Sequence, residues 1–263
     1  MLFDPLVTDV QVFLLVLARI IALLEVAPLF SSGAFPRIAK AGLSLFTAVV
    51  ILPWVLQAGY PIPDTGLGYV FLMVGEVILG VIMGFLLVII YAVFQVAGQF
   101  FSLQVGFGAS QVFDPLAQIE IPLMGQLLNV VAMFVFVSVS GFQKVFLIGI
   151  YRSFEALRAV DLVTQREYLF ALIVGGLSRM FEQALIISFP ILGTLLLVSV
   201  SLGLVAKAAP QLNLLIVGFP FSIGVAFLIM FLTMPFIVEA FSRVIDASFE
   251  QLARLIDQAG GAQ

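Results

Sequence analysis

The chain has no cysteine and no histidine, and only 10% of its 263 residues are charged. Without thiols there is no disulfide framework, and without thiolate or imidazole there is no Cys- or His-based metal site. A Ser-His or Cys-His nucleophile is excluded on the same grounds. The one glycine-rich stretch that looks like a phosphate loop, Gly106-Phe107-Gly108-Ala109-Ser110, lacks the Gly-Lys-Ser/Thr ending whose lysine and hydroxyl hold phosphate and magnesium. The net charge of −4 is spread along the chain, so no basic patch offers itself to nucleic acid. Residues 1–10 carry Asp4 and Asp9 but no Lys or Arg. A cleaved secretory signal has a positive segment there, so the first apolar helix is expected to stay in the protein.

What fills the chain instead is hydrocarbon. Hydrophobic residues make up 63% and the mean hydropathy is +1.25, against roughly 45–50% apolar and about 25% charged in soluble domains. This composition is that of an integral membrane protein. The expected fold class is all-α and polytopic, one helical membrane domain over 1–263 with a C-terminal tail at 239–263. In that tail Arg243, Asp246, Glu250, Arg254 and Asp257 recur at three- and four-residue steps between apolar positions, the pattern of an amphipathic surface helix.

Apolar runs at 10–30, 42–56, 67–94, 123–151, 169–205 and 221–238 approach or exceed the roughly 20 residues that cross a bilayer. The basic link at Arg37 and Lys40 and the loop 59–64, which has no Lys or Arg, fit a periplasmic N-terminus. The three arginines between 152 and 168 mark a cytoplasmic loop or surface helix by the same rule, which a count of crossings meets only if 95–122 re-enters or crosses once. Run 169–205 is too long for one straight crossing, and Pro190 and Gly193 are expected to kink or divide it.

Ionised groups inside such runs are costly and face other helices or water. Arg19, Glu25, Glu76, Arg179 and Glu182 are therefore candidates for buried polar or intersubunit contacts. Arg19 and Glu25 do not share a helix face, whereas Arg179 and Glu182 do. Gly80 and Gly84 have the spacing that lets helix backbones approach closely.

Two stretches break the apolar pattern. Residues 95–122 begin with Gln95, Gln99 and Ser102 on one helical face, then run through Gly106, Gly108, Asp114-Pro115 and Pro122. Residues 203–220 read G-L-V-A-K-A-A-P-Q-L-N-L-L-I-V-G-F-P. Lipid offers no partner to a polar group or broken backbone, so such segments belong inside protein or beside water.

The spacing Pro210-Gln211-x-Asn213 followed by Gly218-Phe219-Pro220 resembles the signature of the FliR family, the flagellar branch of the type III secretion export-apparatus membrane proteins. Injectisome relatives (the SctT family) share a similar Pro-Gln-Leu-Asn core. Gln104, Gly106, Asp114 and Pro115 are similar to a second motif of that family. The resemblance implies helical hairpins in a hetero-oligomeric gate with FliP-like and FliQ-like subunits beside an FlhB-like protein, in the bacterial inner membrane at the flagellar basal body. Its cargo would be unfolded flagellar proteins, and it implies neither catalytic residues nor a cofactor. By position, Gln104, Gly106, Phe107, Gly108, Phe113, Asp114, Pro115 and Pro122 would form or flank a channel plug. Lys207, Pro210, Gln211, Asn213, Gly218, Phe219 and Pro220 would serve subunit packing. The C-terminus would be cytoplasmic. Where the family has histidine soon after the glycine at 141, this chain has Phe142, Gln143 and Lys144. From the residues alone a small-solute transporter with two discontinuous helices stays open.

Overall fold

A chain this apolar must satisfy its backbone within each segment, and the α-helix does so. In the computed structural model, which describes residues 4–31, 35–106, 123–159, 166–209, 211 and 214–261, no strand occurs among the described residues. The helices are α1 (Asp4–Val26), α2 (Pro28–Ser31), α3 (Arg37–Gln57), α4 (Gly66–Val105), α5 (Leu123–Ser138), α6 (Gly141–Lys144), α7 (Ser153–Ala156), α8 (Arg166–Ala208) and α9 (Leu214–Gly261), with a π-helical segment, Val145–Arg152, between α6 and α7. Among the described residues five helices are long and apolar enough to cross a membrane, six if Leu123–Ser138 and Gly141–Arg152 are one broken span. At 1.5 Å per residue α4, α8 and α9 run roughly 60–70 Å, about twice the hydrocarbon thickness of a bilayer.

One expectation needs correction and another is narrowed. The apolar run 123–151 is not one helix: α5 stops at Ser138, and Ser140 takes a left-handed backbone (φ 57°) before Gly141 restarts the winding. A small polar residue tolerates that conformation better than its apolar neighbours would. Of the two outcomes expected at Pro190, a division or a kink, α8 shows no division, and α9 likewise passes through Pro220 and Pro235. A proline costs one ladder bond, whereas a full break would strand several backbone groups in apolar surroundings.

Contacts gather the chain into two units. The first comprises Met1–Ile89, Ser140–Gly176 and Ala247–Gln263. In it α1 and α3 pack antiparallel, with Lys40 Nζ 3.1 Å from Glu25 Oε2 where the C-terminal end of α1 meets the start of α3. Leu15, Val16, Ile20, Leu23 and Leu24 form the buried stripe of α1. Between apolar helices in lipid the hydrophobic effect contributes little, so close van der Waals packing has to hold them. Gly80 and Gly84 supply it: a β-carbon at Gly80 would overlap the Arg19 carbonyl oxygen, and one at Gly84 would lie 2.8 Å from Val26 Cβ.

Gly141–Arg152 runs alongside α3. Phe142 packs edge-on to Phe30 (6.0 Å between ring centres), and Tyr151 packs edge-on to Trp54 (5.1 Å). Arg152 is thus delivered towards the 58–65 end of α3. The positive-inside rule expects a cytoplasmic loop or surface helix here, on a topology that hydropathy alone leaves open. Charge counting cannot see which way a broken helix turns.

The second unit comprises Ile90–Val139 and Leu177–Asp246. Its core is aromatic: Phe94 lies 4.2 Å from Phe241 by ring centres, and Tyr91 lies 5.4 Å from Phe136. At Gly98 the backbone of α4 meets that of α5 at Gly125, so closely that a β-carbon on Gly98 would stand 2.5 Å from the Gly125 Cα.

Candidate functional site

Two clusters gather the polar and glycine residues singled out above. In the second unit α4 ends at Val105, and Gly106 takes φ +99°, a conformation that L side chains rarely adopt. A β-carbon there would also overlap the ring of half-buried Phe219. Two residues earlier Gln104 Nε2 is 3.4 Å from Ser199 Oγ of α8, a long hydrogen bond in which the amide donates. Gly218 is buried, and a β-carbon on it would touch Leu202 of α8 at 3.5 Å.

The segment Gln104–Gly106 and the pair Gly218-Phe219 therefore stand together, although more than a hundred residues separate them in sequence. Pro220 is exposed on α9, and Gln211 is exposed in the turn before it. Lys207, also exposed, occupies the last turn of α8, where a cation suits the helix dipole. Phe107, Gly108, Phe113, Asp114, Pro115 and Pro122, with Pro210 and Asn213, lie outside the described residues.

The first unit holds a buried ionic network. Arg19 and Glu76 are 1% and 0% exposed, although both sit in apolar helices. Arg19 Nε donates to Glu76 Oε2 at 2.5 Å and Nη2 donates to Oε1 at 3.0 Å, a bidentate pair. Nη1 donates to the Ser153 carbonyl at 2.9 Å and, at 3.4 Å, to Ser153 Oγ; Nη2 also donates to the Leu157 carbonyl at 2.8 Å. Each of the five guanidinium donors has an acceptor. The guanidinium carbon stands 3.9 Å over the Phe154 ring. Glu76 Oε1 additionally accepts from the Tyr60 hydroxyl. Burial, and then the Glu76 carboxylate, hold that hydroxyl well above its ordinary value, with Arg19 opposing.

Glycine makes this geometry accessible. Gly80 admits α1 beside Arg19, and a β-carbon on Gly75 would lie 2.8 Å from Ala159 Cβ, so the 153–159 segment also closes on α4 next to Glu76. With every guanidinium donor used, the network holds α1, α4 and the 153–157 segment in position.

Of the other buried or intersubunit candidates, half-exposed Glu25 meets Lys40, and Arg179 and Glu182 are exposed on α8 in the second unit. Tyr60, Ser153 and Phe154 were not among the sequence candidates. Tyr60 sits in a Gly/Pro loop that reads as a solvated link, and Ser153 acts partly through its backbone carbonyl, which no side-chain pattern reports.

Known proteins give this arrangement a family. Residues 10–248 match the family described as bacterial export proteins, family 1. The flagellar biosynthetic protein FliR of Borreliella burgdorferi is 34% identical over 245 residues, covering 92% of this chain and 89% of that protein. FliR of Bacillus subtilis is 31% identical over 94% of this chain and 95% of its own length, and FliR of Escherichia coli is 27% identical over 92% and 91%. Both sequence motifs and both clusters fall within the matched residues. The chain belongs to the FliR family of flagellar biosynthetic proteins, within the bacterial export proteins of family 1.

Proposed function

We propose that the chain is one wall of a protein-conducting channel, assembled with FliP-like and FliQ-like subunits beside an FlhB-like protein in the bacterial inner membrane, and that residues 106–122 are its movable plug. Family membership makes it a membrane-embedded component of the flagellar export apparatus. The proposed cargo is unfolded flagellar protein, and the role is conduit, not catalysis.

The observation that carries the plug reading is Gly106. It follows the last residue of α4, holds a left-handed backbone, and rests on Phe219 of the 203–220 motif. A glycine needs no side-chain room to change φ, so the segment beyond it can pivot while α4 stays wound. Pressing the pivot against a side chain at the start of α9 gives movement of that helix a route to the plug. Replacing Gly106 by Val removes both the room and the conformation. Cells carrying Gly106→Val should show altered ion leak, swimming and export of flagellar protein, while the chain still reaches the membrane; unchanged leak, motility and export would sink the plug.

The partners are tested separately. A tagged copy extracted in mild detergent should emerge in a large assembly with two other small, very apolar proteins, and recovery as a lone monomer or dimer would overturn the channel reading. The proposed orientation keeps Arg37 and Lys40 cytoplasmic and the N-terminus periplasmic. It therefore puts Arg152 towards the periplasmic end of α3. The chain has no cysteine of its own, so single cysteines at 37 and 152 probed with an impermeant thiol reagent decide it. Labelling of 37 alone from the periplasm would invert the topology.

A further inference from the structure

We infer that the first unit carries a binding groove for one acyl chain of a membrane phospholipid, on the face where Gly141–Arg152 lies along α3. The groove measures about 400 Å³. Thr47 and Ile51 are buried at its floor, and exposed Phe46, Val50, Trp54 and Leu147 stand at its rim. Thr47 brings the one hydroxyl of the floor, and it donates to the Leu43 carbonyl of its own helix at 2.7 Å. That hydroxyl asks nothing polar of an occupant, so the surface fits hydrocarbon.

Size selects the kind of hydrocarbon. From Leu43 to Trp54 is eleven residues of helix, about 16 Å at 1.5 Å per residue. One leaflet of a bilayer offers about 15 Å of hydrocarbon depth. The groove is therefore long enough for a lipid tail.

Polarity is graded along it in the sense that a lipid requires. One end, at Leu43, Phe46 and Phe146, is wholly apolar. At the other, Trp54 and Tyr151 meet edge-on, the pair of residue types that settle at the level of headgroups. The rim on one side is π-helical, Val145–Arg152, a winding met mostly as short bulges at functional sites.

Trp54 is the only tryptophan in the chain, so its fluorescence reports on the groove. The full chain in detergent would be titrated with a phospholipid brominated along its acyl chains, which quenches indole on contact. Quenching should saturate at about one lipid per chain, and Val50→Phe, which fills the groove from an exposed rim position, should weaken that saturable phase by about tenfold or more. Quenching that rises without saturation, or that Val50→Phe leaves unchanged, would overturn the site. Because Val50 is half exposed the variant should fold, and native mass spectrometry of both proteins supplies a second reading: a retained phospholipid mass on the parent, absent from Val50→Phe. A third arm addresses other occupants. Leu147→Cys in this cysteine-free chain should not cross-link to another polypeptide in native membranes; efficient cross-linking there would give the groove to a protein and refute the lipid. None of these outcomes bears on the plug.

Discussion

Consider removing the guanidinium of Arg19 by Arg19→Met. The substitution keeps length and helix propensity but leaves Glu76, fully buried, with Tyr60 as its remaining donor. It also strips a donor from each of two carbonyls, Ser153 and Leu157. Breaking a buried pair by deleting one partner costs about 3–5 kcal/mol, most of it the penalty of the charge left behind. The pair itself is worth far less, because two ions taken out of water repay their desolvation only in part. Arg19→Met should therefore cost about 4 kcal/mol and Glu76→Met a similar amount, while the double variant should cost clearly less than their sum. It will not return to the parent's stability, since the Leu157 carbonyl loses the guanidinium as its donor, at about 1–3 kcal/mol where burial is complete, whereas the Ser153 carbonyl still accepts from the Leu157 N–H.

The assay is a double-mutant cycle on the detergent-solubilised chain, unfolded in a graded series of denaturing detergent and followed by helical circular dichroism. A favourable coupling of about 1–3 kcal/mol is the expected result. Additive single effects would show that Arg19 and Glu76 do not act as a pair. A single effect under about 1 kcal/mol would show that the site is wet in solution and not the sealed network described above.

Tyr60→Phe removes one hydrogen bond to a carboxylate and should cost about 1.5 kcal/mol, the low end of the range because Tyr60 is only half buried. The same hydroxyl gives the pH dependence a sign. Its folded value is raised above the ordinary 10.0, so its contribution is complete below about pH 10 and is lost as pH climbs from there towards the folded value. Over that window the parent should lose stability faster than Tyr60→Phe, and identical slopes would refute the contact. Gly84→Leu should push α1 off α4 and cost about 1–3 kcal/mol or more, read as a lower unfolding midpoint. At the pivot, Gly106→Ala carries two burdens, backbone strain of about 1–3 kcal/mol and overlap with Phe219. Adding Phe219→Ala should relieve only the overlap, so swimming should return in part; full recovery would mean that the left-handed backbone is dispensable.

Much of this was legible from the residues, and the pattern of what was not has a physical reason. Hydropathy marks which positions are unfit for lipid: Arg19, Glu25 and Glu76 stood out at once, as did the breaks at 95–122 and 203–220. It does not say what those positions face. Arg19 finds Glu76 fifty-seven residues away, and Gln104 finds Ser199 ninety-five residues away, at separations where neither helical nor strand periodicity carries information. The resemblance named Gln104, Gly106, Gly218 and Phe219 as two motifs but did not state that they touch. Ser140 was missed as a helix break because serine in a membrane run reads first as an interhelical hydrogen-bonder.

The glycines of α4 are the exception, since their meaning is geometric and local. Gly75, Gly80 and Gly84 each lie where a β-carbon would collide with α1 or with the 153–159 segment, and Gly98 lies where one would collide with α5. Without a hydrophobic force to draw helices together in lipid, contact distance has to be written into side-chain size. A helix that carries its close-approach sites as glycines therefore states where neighbours come nearest, even when it cannot say which neighbours they are. On α4 the buried carboxylate of Glu76 stands between Gly75 and Gly80. Its arginine and the carbonyls that share that arginine reach it only because neither flanking position has a side chain. A β-carbon at Gly75 or Gly80 would thus open the ion pair without touching either ion, and the coupling between Arg19 and Glu76 should fall in a Gly80→Val background even though both charges remain.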